Sequence, residues 1–200
     1  MRSKRKLVFG VGINDADYSV SPVTSLGKQV RCGYYKTWAD MLRRCYDVNL
    51  KLKYPTYAEC IVCEDWKYFS KFKSWMETQD WEGKQLDKDL LIRGNKLYSP
   101  DTCVFVELKI NSFLLENDKT RGQYPIGVSF HKIVGKYTSR VGIRSGKEKH
   151  LGYYHTPEEA HQAWLKAKLE LAKELSNEIL IAGGDLRIAK ALIERYENYN

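Results

Sequence analysis

The sequence predicts an α+β protein built from two small domains, and three observations predict it. The chain has 200 residues, 43% hydrophobic and 29% charged, which suits a folded chain with room for two cores. Apolar residues recur at helical spacing over 35–46 and 66–79, whereas 126–154 holds short strand-like runs broken by Gly-containing turns. Between them lies a polar, turn-prone stretch, Asn117-Asp-Lys-Thr-Arg-Gly-Gln123, which marks a domain boundary. The expected organisation is an extended basic arm over 1–34, a first domain over 35–117, a second over 123–175 and a closing helix over 183–198.

Gly10, Gly12 and Pro22 give the arm its extended character. In the first helix, Trp38, Met41, Leu42 and Cys45 form one stripe, with Arg43 and Arg44 beside it for solvent or phosphate. Asp65 is the expected N-cap of the second helix, whose Trp66, Phe69, Phe72, Trp75 and Met76 make a broad core face. Leu86 to Ile92 mixes apolar and charged residues, as a strand carrying functional groups would. Arg93-Gly-Asn95 then reads as a turn, and Ser99-Pro100-Asp101 as the start of a helix to about Leu115.

Strands are expected over 126–132, 136–144 and 149–154. Thr156-Pro-Glu-Glu159 is a capping box with Pro at the first helical position, opening a helix to about Leu175 with Ala160, Trp164, Ala167 and Leu171 on one face. The closing helix turns Ile188, Leu192 and Tyr196 inward.

No apolar run approaches the roughly 20 residues that span a bilayer, and the start is not a secretory signal, so a cytoplasmic protein is expected. Five cysteines, an odd number, argue against a disulfide framework. Cys60-Ile-Val-Cys63 has the spacing of half a zinc site. Without a second such pair zinc is not expected, although folding can bring Cys45 and Cys103 to it.

The net charge of +8 is unevenly placed. Residues 123–155 carry six Lys or Arg against one acid, while 35–117 and 161–200 balance. A clustered excess is the footprint of a phosphate-binding surface. Strand alternation places Tyr137, Ser139, Val141 and Ile143 toward the single covering helix, and Thr138, Arg140, Gly142 and Arg144 away from it. Ser129, His131 and His150 fall on the same open face, with Lys132, Lys136, Lys147 and Lys149 at its rim. Such a face can enter the major groove of double-stranded DNA, where Arg matches guanine edges and Lys neutralises phosphates.

Gly127-Val128, Gly135-Lys-Tyr137, Leu151-Gly152-Tyr-Tyr154 and Thr156-Pro-Glu-Glu-Ala160-His-Gln-Ala-Trp164 resemble the DNA-binding domain of plant ethylene-response (APETALA-type) factors. The resemblance covers about fifty residues. It implies a three-stranded sheet lying in the major groove, backed by one helix. His150 stands where that family usually has Trp, and Ser129 where it has Arg. Such domains also occur in phage and mobile-element proteins, joined to HNH nuclease domains.

Residues 35–45, Val62-Cys63-Glu-Asp-Trp66, Leu86-Asp-Lys-Asp89 and Gly94-Asn95-Lys-Leu-Tyr-Ser-Pro-Asp-Thr-Cys103 resemble phage HNH-type, homing-like endonucleases. This resemblance implies a ββα-metal domain that hydrolyses phosphodiesters with one divalent metal, Mg2+ or Mn2+. Asp87 and Asp89 would hold the metal, and Asn95 would orient the site. Lys88 stands where that family has its general-base His, and all four histidines lie in the C-terminal half. Alternation in a strand would turn Asp87 and Asp89 one way and Lys88 the other. Glu82-Gly-Lys84 near Asp80 and Asp87 also matches the short ExK pattern of another nuclease class. The leading expectation is a metal-dependent DNA endonuclease of phage type, acting in the bacterial host cytoplasm, with no membrane or small-molecule partner. The alternative is a non-catalytic DNA-binding regulator, or an effector that grips a host protein with a degenerate nuclease fold.

Overall fold

Burial of the Trp38, Met41, Leu42 and Cys45 stripe builds the first core. The computed structural model describes residues 6–23, 25–115, 122–143 and 146–199. It divides into two compact units, Met1–Val106 and Glu107–Asn200.

In the first unit, α1 (Gly33–Tyr46) carries the stripe. The Asp47 carboxylate accepts the Leu50 N–H at 3.0 Å and starts α2 (Val48–Lys53). Strand β1 (Ile61–Val62) and a 3-10 turn (Asp65–Lys67) lead into α3 (Phe69–Met76). Three short strands follow: β2 (Gln85–Asp87), β3 (Leu97–Tyr98) and β4 (Val104–Val106). β1 pairs with β3 in parallel, and β2 with β4 antiparallel. The Trp66, Phe72, Trp75 and Phe105 rings pack together, and the Trp38 indole donates to the Trp66 carbonyl at 2.7 Å.

Three expectations are corrected here. Asp65 is not the N-cap of α3. That helix begins after Tyr68, and Asp15 accepts both the backbone N–H and the hydroxyl of Ser70 in its first turn. The segment around Ile13 is therefore not a free arm. Ile13 and the Lys67–Phe69 backbone exchange hydrogen bonds of 2.8 and 3.0 Å, and Val8, Val11 and Val20 pack on the core. Ser99-Pro100-Asp101 forms a turn rather than a helix start, because pairing with β2 (Leu86 opposite Phe105) captures Val104–Val106 as a buried strand.

The second unit opens with α4 (Leu108–Leu114). Strands β5 (Val128–His131), β6 (Lys136–Gly142) and β7 (Glu148–Tyr154) form an antiparallel sheet in that order. Helix α5 (Pro157–Ile181) backs it, and α6 (Leu186–Glu197) packs on α5. The expected capping box is present at Thr156 and Glu159. α5 runs past 175 because its buried stripe continues through Leu175, Ser176 and Ile179. That stripe takes in Lys168 rather than Ala167 or Leu171, which are only partly buried. The Lys168 amine donates to the Phe113 carbonyl at 2.6 Å and lies 3.6 Å from the Phe113 ring centroid.

Candidate nucleic-acid interface

Cross-strand register decides which side chains share a face. Val141 joins Trp164 in the core, so the Val141 side is covered by α5. The open side carries Ser129 and His131 from β5, and Lys136, Thr138 and Arg140 from β6, with Ser129 opposite Thr138 and His131 opposite Lys136. On β7 the register shifts between Ser139 and Arg140. Ser139 pairs with Gly152 and Arg140 with His150, leaving Leu151 as the extra residue of a bulge. His150 and Tyr153, three positions apart, therefore both face outward.

The rings record this. Tyr153 lies 4.8 Å from His150 and 5.4 Å from His131, forming a row across the open face. The His131 Nδ1 accepts the Val134 N–H at 3.3 Å, which fixes that ring over the β5–β6 turn. Thr138, expected outward, is on the open side by register but only 2% exposed, and its hydroxyl has no hydrogen-bond partner among the described residues. Arg140 is exposed and pairs loosely with Glu148 at 3.7 Å.

Of the basic residues named from the sequence, Lys136 and Arg140 share the open side by register, and Lys132 and Lys147 lie in the connections at the strand ends. Lys132, Lys147, Lys149 and His150 are exposed, and Lys136 is half-buried. Lys149 pairs in register with Val141, which assigns it to the helix side at the sheet's end. Arg144 lies outside the described residues. Tyr153 escapes sequence reading because regular alternation from an outward His150 turns it inward.

The first unit gathers the other predicted site. β2 ends at Asp87, so strand alternation does not extend to Lys88 and Asp89. The Asp87 carboxylate accepts the backbone N–H of Asp89 at 2.9 Å and of Leu90 at 2.7 Å. Lys88, expected to point away, is buried instead. Its amine donates to Asp89 Oδ2 at 3.0 Å and to the Asn95 carbonyl at 2.9 Å. The Asn95 amide donates to the carbonyls of Lys88 and Leu97, both at 2.7 Å, while its oxygen accepts the Leu97 N–H. Asp87, Lys88, Asp89 and Asn95 do converge, but as a loop laced by its own hydrogen bonds. Arg44 likewise turns inward, toward the Leu86 carbonyl at 3.3 Å and the Tyr98 hydroxyl.

Comparison with protein families, with characterised proteins and with solved structures finds no match.

The donor set fits a divalent metal poorly. The Lys88 ammonium is paired with Asp89, and the Asn95 side chain is spent on backbone. Among the described residues, no three His, Cys, Asp or Glu side chains group as a metal site. Cys45, Cys60 and Cys103 are buried free thiols, and burial pushes those of Cys45 and Cys103 up to about 12. In the Glu82-Gly-Lys84 tripeptide, Lys84 is ion-paired to Asp80. No helix among the described residues is long and apolar enough to cross a membrane.

Burial, reinforced by the Asp89 charge, raises the Asp87 carboxyl above the usual carboxylate range, against the two N–H groups it accepts. The folded state then holds that proton more tightly than the unfolded chain. Stability falls as pH rises from the ordinary carboxylate value to the raised one, so ionising Asp87 costs the folded unit stability. Asp87→Asn keeps an oxygen for both N–H groups and removes the charge. Its urea midpoint at pH 7 is expected to equal or exceed that of the parent. Asp87→Ala orphans two N–H groups and is expected to lose about 1–2 kcal/mol. An Asn variant no more stable than the Ala variant contradicts this.

Proposed function

We propose that this chain binds double-stranded DNA through the open sheet face of its second unit. The observation that carries the proposal is the row of His131, Tyr153 and His150, set among Lys132, Lys136, Arg140 and Lys147 on a sheet whose other side is sealed by α5. A duplex groove needs a convex element with cations at its edges and contact groups at its centre, and a backed sheet offers both. The APETALA-type resemblance of the sequence points the same way.

The loop at Asp87–Asn95 favours the non-catalytic form of this reading: a DNA-binding regulator, or an effector that also grips a host protein. The endonuclease form requires Asp87 and Asp89 to take up Mg2+ or Mn2+ in place of the Lys88 ammonium. Binding to random-sequence duplex, measured against salt, tests the proposal. Affinity should fall steeply with salt, and a flat response or no binding overturns it. Incubation of plasmid with Mg2+ or Mn2+ separates the two forms. No nicking is expected; cutting by the parent that is abolished in the Asp87→Ala, Asp89→Ala double variant would establish the endonuclease instead.

A further inference from the structure

We propose that Tyr153, flanked by His131 and His150, is the specificity-determining contact of the open face, and that it reads the 5-methyl group of thymine in the major groove. This rests on the reading of that face as a duplex-binding surface and deepens it.

The bulge at Leu151 brings Tyr153 out beside His150, and β5 supplies His131 on its other flank. Tyr153 is 44% exposed, so its ring remains available to a partner. The three rings make the middle of the face aromatic, with the apolar ring of Tyr153 between two imidazoles, whereas its cations stand around them.

The major-groove edges differ in what they ask of a protein. Guanine offers two acceptors that suit an Arg fork, and thymine offers one acceptor and a methyl group. On this face the described guanidinium, Arg140, pairs only loosely with Glu148 at 3.7 Å and remains available to a guanine edge or a phosphate beside the ring row. Tyr153 provides an apolar ring face for a methyl and a hydroxyl at its tip. Thr138, opposite Tyr153 in register, adds a buried hydroxyl whose hydrogen bond is unmade, a polar group that an entering base edge or bridging water can satisfy.

The chemistry is thus a methyl seated on an aromatic row, with phosphates held by the lysines around it. A methyl buried on a ring contributes about a fourfold gain in affinity. The test starts from a duplex selected for binding out of a random pool, then remade with deoxyuridine in place of every thymine. The parent protein is expected to bind the uracil duplex about fourfold more weakly for each contacted methyl. Tyr153→Phe should keep that discrimination. Tyr153→Ala should bind both duplexes equally, with an unchanged circular dichroism spectrum. Equal binding of the two duplexes by the parent, discrimination that survives Tyr153→Ala, or a selected duplex without thymine overturns the proposal while leaving duplex binding intact. Failure to bind any duplex overturns both.

Discussion

Gly127→Ala is expected to destabilise the second unit by about 2–5 kcal/mol, enough to consume much of the stability of a small domain. Two costs combine. Gly127 has φ +81°, a left-handed conformation that L side chains adopt at a penalty, and its missing Cβ would stand 2.0 Å from Trp164 Cδ1. The indole cannot retreat, since it is buried against Tyr196 and stacked on His161. Gly135→Ala provides the comparison. It has φ +68° but open space around it, so only the backbone cost of about 1–2 kcal/mol should appear. Trp164 is the one tryptophan of residues 107–200, so hydrogen exchange or indole NMR in urea can follow this unit directly. Equal losses for the two variants would refute the packing argument.

Replacing Lys132, Lys136 and Lys147 together with Ala is expected to weaken duplex binding on the order of a hundredfold at 150 mM salt. The slope of log affinity against log salt should fall by about 3 in the same experiment. These side chains are exposed or half-buried, and no ion pair in the described residues ties them to the fold. Thermal stability should therefore hardly change. A changed affinity with an unchanged slope would mean that the lysines do not meet phosphates. A matched loss from Lys166, Lys173 and Lys190, on the helical side, would mean that the open sheet face has no special part.

What the sequence discloses divides along the range of the interactions involved. The α5 start was readable because a capping box and an N-terminal Pro act within four residues. The α1 stripe was readable because burial follows helical spacing there. The α+β class and the β5–β7 sheet likewise follow from local turns and alternation. β4 was hidden because Val104–Val106 owe their strand to β2, which is distant in sequence. Tyr153 was hidden because a bulge is an event between strands, and nothing in Leu151 or Gly152 alone announces it. The burial of Lys88 was hidden for the same reason. A lysine reads as a surface residue until carbonyls and rings from elsewhere in its unit close around its amine. At Asp87–Asn95 the residues of the candidate site were found, but their roles were not. Which groups the side chains bond to depends on where β2 stops.

α5 has 25 residues, about 37 Å of helix, and only part of it is needed to seal the sheet. The remainder binds α6, whose Tyr196 returns to touch Trp164 beneath the strands. The sheet and the last helix therefore share one structural member and should gain or lose their order together, as a single cooperative block. A fragment trimmed at residue 175, where the motif ends, would cut that member before Ser176 and Ile179 and strip Tyr196 from the indole. The autonomous piece that carries the open face is set by this rear buttress, well beyond the stretch of sequence that makes the face recognisable.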